Sequence, residues 1–299
     1  MPVFLRLSRT LALNICLWFC SIGMSQTILQ DNEALVDLRH LQPVSVETFL
    51  QVLSTADVSV WGEIHDNPRH HAVRAEWLRL LANPPRAVVA EHLTAPRLFD
   101  TQQELLKGLQ MAGFDAQGWQ WPMHQVLFAT TTSLGLPLWG GNLSKEDSKS
   151  IFKTKGDATP SALKNLLSHA VLNPPEQQEL IHEIDQGHCG ALPADMFEGM
   201  MAAQRARDAS MADMAMQHMP SVVLAGNGHA WKHLGIAQII RGNRPDLKVV
   251  SVLMLEHEPF ENEAQRLAWL NRWAGKADYI WSGPPISRVD PCKAFAPSK

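Results

Sequence analysis

The sequence predicts an α/β protein whose largely parallel or mixed central sheet is flanked by helices. Three observations predict this class. Short apolar runs recur along the chain, stretches with helical spacing of apolar residues separate them, and no convincing strand occurs between Ser144 and Met219. Alternation of strands and helices is typical of a parallel sheet, since each helix carries the chain back to the start of the next strand. The strandless segment predicts a helical insertion, or lid, before the fourth main strand.

The predicted strands are the short apolar runs. They span residues 58–61, 87–90, 136–139, 222–225 and 247–255, with residues 279–281 as an edge strand. The predicted helices span residues 68–82, 97–111, 122–134, 175–188, 194–218, 229–241 and 262–274. The first helix is the best marked, because Asn67 can cap its amino end and Pro68 suits its first turn. We expect His70 and His71, in that first turn, to be surface residues.

Residues 1–25 predict a secretory signal peptide. Arg6 and Arg9 precede an apolar run that is shorter than the roughly 20 residues of a membrane span, and small residues favour cleavage after Ser25. A transmembrane anchor is the alternative. A lipid anchor at Cys16 or Cys20 is disfavoured, because bulky or polar residues precede both. Residues 26–299 then form a single α/β domain, with a helical subdomain at about 144–219, in the periplasm or outside the cell.

Two cysteines, Cys189 and Cys292, remain after cleavage. In an oxidising compartment a lone pair of this kind is most simply one disulfide, here closing a loop of about 100 residues. The alternative is thiolate ligation of a metal, which is weaker because neither cysteine belongs to a Cys-x-x-Cys pair. The net charge of −4 and the dispersal of the 26 basic residues argue against a nucleic-acid partner.

Polar side chains follow four of the predicted strands. Glu63 and His65 follow the first strand, Glu91 the second, Asn142 the third and His229 the fourth. Because the carboxyl ends of parallel strands meet at one edge, where open α/β folds place their ligands, we expect one site there. Imidazole and carboxylate suit a divalent metal, so His65, Glu91 and His229, with Glu63, are candidate ligands. A metal-free pair of imidazole base and carboxylate is the alternative.

Several of these positions also have an ordinary structural interpretation. Glu63 can simply cap a helix, and Asn142 can be a turn residue. In the helix before the fourth strand, Arg205 and Asp208 have the spacing of an exposed i,i+3 ion pair. The functional interpretation is that Arg207 reaches an anionic group of a ligand, with Asn142 and Asp208 supporting the site.

Taken together, the motifs resemble those of the ChaN-type haem-binding uptake proteins of the Tiki superfamily, over residues of about 45 to 285. Hydrolytic members of that superfamily share two Gly-x-x-His motifs and an intervening Glu. The motifs here are Gly62-Glu-Ile-His-Asp-Asn-Pro68, Glu91, Asn142, His188-Cys189, Gln204-Arg-Ala-Arg-Asp208 and Gly226-Asn-Gly-His-Ala230.

The resemblance implies a periplasmic haem-binding protein of iron uptake, which binds haem as a stacked pair across a homodimer and serves the outer-membrane haem uptake machinery. Relatives are similar in using a tyrosine near the helix before the third strand as iron ligand, and His124 stands at that place here. Trp119 and Trp121 would support the porphyrin, Arg207 would bind a propionate, and His188 would lie at the opening.

The second hypothesis for the function of these residues is that the protein is an enzyme. A metal-dependent hydrolase of the Tiki or erythromycin-esterase-like kind would use His65, Glu91 and His229 as its catalytic site, with a divalent metal activating water. The third hypothesis is a binding protein without catalytic activity, in which these residues have only a structural role.

Overall fold

The structure is a computed structural model and describes residues 29–290, 292 and 293. The signal peptide expected at residues 1–25 lies outside the described residues. The strands are β1 (Ala34–Asp37), β2 (Gln42–Pro43), β3 (Val58–Trp61), β4 (Ala87–Thr94), β5 (Leu138–Asn142), β6 (Ser221–Leu224), β7 (Val249–Glu256) and β8 (Tyr279–Gly283).

The helices flank these strands in sequence. They are α1 (Val46–Leu53), α2 (Pro68–Leu80), α3 (Leu105–Met111), α4 (Gln125–Ser133), α5 (Lys145–Lys153), α6 (Ser161–Ser168), α7 (Pro174–Gly187), α8 (Phe197–Gln217), α9 (Asn227–Ala230), α10 (Ile236–Asn243) and α11 (Glu263–Asn271), with a 3₁₀ turn at Ala194–Met196. None of the helices in the described part of the chain is long and apolar enough to cross a membrane.

The strands form one mixed sheet in the order β2-β1-β8-β7-β3-β6-β4-β5. β3 to β8 run parallel to one another, whereas β1 pairs antiparallel with β2 and with β8. The predicted α/β class is therefore confirmed. In register, Leu224 pairs with Trp61 on one side and with Ala90 on the other. The carboxyl ends of β3, β6 and β4 thus lie side by side.

Both faces of the parallel part of the sheet are buried, which explains why strands β3 to β8 are mostly apolar. Successive side chains of a strand point to opposite faces. Val89 and Val223 belong to the apolar layer that includes residues of α8 and α10. Val88 and Val222 belong to the other layer, with residues of α1, α2 and α4.

The helical insertion lies between β5 and β6, where the described chain forms α5 to α8 and no strand. A disulfide joins Cys189, just after α7, to Cys292 in the carboxyl-terminal tail. The tail is also held by Arg288, which forms ion pairs with Asp66 and Glu256. The tail therefore has polar as well as covalent attachments.

Several strand and helix ends differ by up to four residues from the predictions, and three predicted elements differ more substantially. Residues 279–281 are not an edge strand, because the short strands β1 and β2 continue the sheet beyond β8. The helix predicted from residue 97 begins only at α3, since Asp100 accepts a hydrogen bond from the amide of Gln102 and turns the chain. The helix predicted at 229–241 is split into α9 and α10 at Gly235, where a Cβ would lie 2.1 Å from the carbonyl oxygen of His229.

Candidate ligand and metal site at the carboxyl edge of the sheet

The expected site residues meet at the carboxyl edge of β3, β4, β5 and β6. Glu63 and His65 follow β3, and His229 lies in α9, directly after β6. Glu91 is inside β4, since that strand continues four residues beyond its predicted end, and Asn142 is the last residue of β5. The strand order brings all four ends together.

Strand alternation divides these residues into two clusters. Glu91 and His92 are neighbours in β4, so their side chains point to opposite faces of the sheet. Glu91 faces α8, where it meets Arg207. His92 faces the layer of α2 and α4, where it meets Glu63. The single site expected from the sequence is thus two adjacent clusters.

The first cluster surrounds the buried carboxylate of Glu63. Its Oε1 atom lies 2.6 Å from Nδ1 of His65, 3.1 Å from Nε2 of His92 and 3.5 Å from Nε2 of His124. Its Oε2 atom is in contact with the guanidinium of Arg74, which is also buried. Three imidazoles therefore converge on one carboxylate oxygen, while an arginine holds the other.

His70 and His71 are buried, which corrects the expectation that they lie on the surface. The first turn of α2 runs under the sheet edge, so both imidazoles find partners in the interior. Nδ1 of His70 accepts a hydrogen bond from the amide of Ile64. Nε2 of His71 donates to the carbonyl oxygen of His65, and its Nδ1 accepts from Arg74. Both rings serve as hydrogen-bond partners of the loop after β3.

The second cluster surrounds Glu91. Its Oε1 atom accepts a hydrogen bond from Nη2 of Arg207 over 2.7 Å and lies 3.2 Å from Nε2 of His229. Its Oε2 atom accepts from the amide of Gly226 over 2.7 Å. Asn142 donates to the carbonyl oxygen of Glu91 and accepts from Nε of Arg207, so it positions that arginine.

His229 lies between two carboxylates. Its Nδ1 atom is 2.6 Å from Oδ1 of Asp208, on the side away from Glu91. Burial by itself lowers the pKa of His229, but the charges of Glu91 and Asp208 outweigh it and raise that pKa to about 9. Burial raises the pKa of Asp208, whereas in Glu91 the positive charge of His229 outweighs burial and lowers the pKa well below its usual value. At neutral pH His229 is therefore a cation within an ion-pair network.

Gly226 connects the two clusters. A Cβ at this position would lie 2.7 Å from Nε2 of His65 and 3.5 Å from Oε2 of Glu91. Only glycine therefore lets the loop after β6 pass between His65 and Glu91. Burial lowers the pKa of His65, so its imidazole is neutral, in contrast to His229.

The geometric metal-ligand set differs from the set expected from the sequence. Among the described residues, Glu63, His65, His92 and His124 have ligand atoms within 4.8 Å of one another. Glu91 and His229 lie outside this group because they pair with each other and with charged residues of α8. His92 is a member of this group that the sequence does not predict, because the predicted strand ends at Ala90. In a strand that continues to Thr94, the alternation of side chains directs His92 to the face where Glu63 lies.

A cleft of about 420 Å³ opens beside the two clusters. Trp119 forms part of its wall, and its indole contacts the rings of His65 and His92 with centroid distances of 4.9 and 4.4 Å. Arg207 and Lys145 supply positive charge at this cleft. The other lining residues are Glu91, His92, Leu93, Thr94, Gly113, Asp115, Gly118, Asn142, Leu143 and Ser148.

The remaining expected haem residues are not on the cleft wall. His124 is only 1 % exposed and lies behind Trp119, in contact with Phe128. Trp121 packs against Phe114 instead. His188 ends α7, where its Nδ1 donates to the carbonyl oxygen of Ile184.

The single tyrosine of the chain is remote from this edge. Tyr279 is the first residue of β8, whereas the clusters lie where the parallel strands end. It is buried against Phe49, and its hydroxyl accepts a hydrogen bond from Arg39. A tyrosine ligand of the kind implied by the resemblance is therefore absent from the cleft.

The family model described as haem-binding uptake, Tiki superfamily, ChaN matches residues 49–240. The chain belongs to this family. The matched range of this ChaN-family protein contains both clusters, including Glu63 and His229. No curated protein matches the chain at a significant level of sequence similarity.

Solved structures match the chain to different degrees. A structure described as cofacial heme binding to ChaN of Campylobacter jejuni has a TM-score of 0.66 and 19 % sequence identity, covering 86 % of this chain and 99 % of that one. A Bacillus cereus protein has a TM-score of 0.44 and 10 % identity, covering 80 % of this chain and 91 % of that one. The first of these supports the α/β architecture of the family.

Proposed function

We propose that this protein binds haem in the periplasm and serves iron uptake. One observation carries the proposal: the cleft of about 420 Å³ at the carboxyl edge combines an indole wall with two cations, Arg207 and Lys145. These cations pair with Glu91 and Asp115, which also line the cleft, so a carboxylate of the ligand would share them. The volume of the cleft is within the range of ligand clefts, about 300–1,000 Å³. Membership in the haem-binding uptake family supports the same ligand.

The chemistry of the cleft matches the chemistry of haem. Haem presents a flat apolar ring together with two carboxylates. Trp119, with Leu143, provides apolar contact for the ring. Arg207 and Lys145 provide charge-assisted partners for the carboxylates. The residues present therefore fit the group, although no tyrosine is among them.

We propose that His124 takes no part in this haem site. The ring lies behind Trp119, so a porphyrin in the cleft would reach it only if that indole moved away. We therefore assign His124 to the buried imidazole cluster. His124→Ala should leave both hemin affinity and the Soret maximum of the complex unchanged. A large loss of affinity in this variant would restore His124 as the iron ligand.

Titration with hemin, followed at the Soret band, tests the proposal. We expect saturable binding by the wild-type chain and about tenfold weaker binding by Trp119→Ala, since an aromatic contact contributes about 1 kcal/mol. Trp121→Ala is the matched control, because Trp121 is half-buried but packs on Phe114 away from the cleft. Absence of saturable binding by the wild type, or equal losses in the two variants, would contradict the cleft as the haem site.

The cellular role is proposed from the family and from the chain's amino terminus. A secretory signal at residues 1–25, which we expect from the sequence, would direct the protein to the periplasm, where an outer-membrane uptake system would supply haem. Binding of stacked haem across a homodimer follows from the same family likeness. Size-exclusion chromatography with and without hemin tests this step, with dimerisation on loading as the expected result.

The hydrolase alternative receives less support from the geometry. Glu91 and His229 already pair with each other, and also with Arg207 and Asp208 respectively. Neither belongs to the group of described residues whose ligand atoms lie close enough together to hold one ion. We therefore do not propose hydrolysis through this triad.

A further inference from the structure

We propose that Glu63, His65, His92 and His124 form a binding site for one divalent transition-metal ion, which adjoins the haem cleft through His92. The proposal goes beyond haem binding and does not depend on it. The four ligand atoms lie within 4.8 Å of one another. They come from the loop after β3, from β4 and from the residue before α4.

The ligand atoms are close enough to receive a single ion after side-chain shifts. Ligands of a tetrahedral ion with bonds of about 2.0–2.2 Å lie about 3.4 Å apart. Pairs of atoms in this cluster lie up to 4.8 Å apart, so the widest pair would close by about 1.4 Å. Oε1 of Glu63 and Nδ1 of His65, now 2.6 Å apart, would separate to admit the ion. Nδ1 of His65, Nε2 of His92 and Nε2 of His124 already surround Oε1 of Glu63.

His124 provides an independent indication. Its ring is buried, and neither of its nitrogens has a hydrogen-bond partner among the described residues. A buried polar atom without a partner destabilises a protein by about 1–3 kcal/mol. An ion bound at Nε2 would give this nitrogen a partner. Without an ion, burial of this ring destabilises the folded protein, because its nitrogens lose their hydrogen bonds to water and gain no partner.

Neighbouring side chains orient the carboxylate of Glu63 so that one oxygen can bind a metal ion. Arg74 contacts Oε2 of Glu63 and accordingly leaves Oε1 directed at the three imidazoles. His71 accepts a hydrogen bond from Arg74 and donates to the backbone of His65. Such outer contacts fix the orientation of ligands in metal sites.

The donor set indicates the class of ion. Three imidazoles and one carboxylate suit Zn²⁺, Co²⁺, Ni²⁺ or Fe²⁺, whereas Ca²⁺ and Mg²⁺ prefer oxygen ligands. The side chain of His65 is 43 % exposed, so this ligand gives the ion a path to solvent. His92 and His124 form the buried side of the site.

Titration of haem-free protein with Co²⁺ tests the proposal, because a tetrahedral Co²⁺ site absorbs visible light strongly. We expect saturation at about one ion per chain. His124→Ala and Glu63→Gln should each weaken binding by at least tenfold. His188→Ala is the control, since among the described residues the ring of this half-buried imidazole has its hydrogen bond to a backbone carbonyl of α7 and lies outside the cluster. Its Co²⁺ spectrum should equal that of the wild type.

Two results would overturn the site: absence of saturable Co²⁺ absorption in the wild type, or unchanged binding in the ligand variants. Circular dichroism shows whether the variants fold. If a buried variant does not, His65→Ala replaces it, because its exposed side chain is least needed for packing. Hemin titration of the same samples separates the two proposals. Co²⁺ binding without hemin binding contradicts only the haem site, and hemin binding without Co²⁺ binding contradicts only this one.

Discussion

His229 donates a hydrogen bond from Nδ1 to Oδ1 of Asp208 over 2.6 Å. Together with Glu91 on the other side of the ring, this contact raises the pKa of His229 to about 9 despite burial. We predict that the ring stays protonated through neutral pH and titrates near pH 9 in an NMR titration. Asp208→Asn should lower the pKa markedly. A wild-type ring that titrates near its ordinary value of 6.5 would contradict the ion-pair network.

The same shift has a consequence for stability. Because the pKa of His229 is higher in the folded than in the unfolded chain, protonation of the ring stabilises the fold fully below pH 6.5. This contribution should decline as the pH rises from 6.5 through about 9. Urea unfolding across that range measures it, with Asp208→Asn as the comparison. A pH dependence that is equal in both proteins would show that His229 is not its source.

Glu91 holds the second cluster together. Glu91→Gln removes the negative charge that Arg207 and His229 share, and leaves two buried or half-buried cations without it. We predict a loss of about 3 kcal/mol in the free energy of unfolding, as for other broken buried pairs. Glu263→Gln, which breaks an exposed pair with Arg266, should change stability by less than about 1 kcal/mol. Similar effects of the two variants in urea unfolding would refute the central place of Glu91.

Gly226 should tolerate no side chain. Gly226→Ala would place a Cβ 2.7 Å from Nε2 of His65, so the imidazole must move. We predict weaker Co²⁺ binding and a stability loss of about 1–3 kcal/mol, the usual effect of overpacking. Gly187→Ala is the control, because a Cβ there meets open space. Unchanged Co²⁺ affinity in Gly226→Ala would show that His65 is not a ligand of the metal ion.

Lys145 should contribute to hemin binding by charge. It lies on the cleft and pairs with Asp115, so Lys145→Glu would repel the carboxylates of haem. We predict at least threefold weaker hemin binding at low salt and a smaller difference at high salt, because salt screens exposed charges. Lys153→Glu makes the same charge change in the last turn of α5 and should have little effect. Equal weakening by both would indicate only a general charge effect.

The disulfide between Cys189 and Cys292 should be present in protein from an oxidising compartment. Mass spectrometry of non-reduced, alkylated protein should show the two linked peptides. Replacing both cysteines with serine should lower stability by about 2–4 kcal/mol, since the bond closes a long loop. Reductant should destabilise the wild type and leave the double variant unaffected. Two alkylated thiols in the native protein would contradict the bond and weaken the case for a periplasmic location.

The sequence was sufficient for the fold class and for the edge at which the polar residues meet. Apolar runs marked β3, β4 and β6, and parallel strands bring Glu63, Glu91 and His229 to one edge. The sequence does not predict the short strand β1, because four residues are too few to show the alternation of apolar and polar side chains. Without β1, the sequence predicts residues 279–281 as the edge strand of the sheet.

The division into two clusters could not be predicted, because it depends on where β4 ends. With the strand ending at Ala90, Glu91 and His92 are both loop residues without a fixed side. With the strand continuing to Thr94, they face opposite layers. The contact of His124 with Glu63 joins positions remote in sequence, so no spacing indicated it. The burial of His124 also depends on its contact with Trp119, and the sequence does not show that these two rings pack together.

Diffraction from crystals of the hemin complex, collected at the iron absorption edge, tests the haem proposal most directly. We predict an anomalous iron peak in the cleft between Trp119 and Arg207, one for each chain, and none at the buried imidazoles around Glu63 when hemin is the only iron source. An iron peak on another surface of the protein would contradict the cleft as the haem site, as would crystals that take up no hemin.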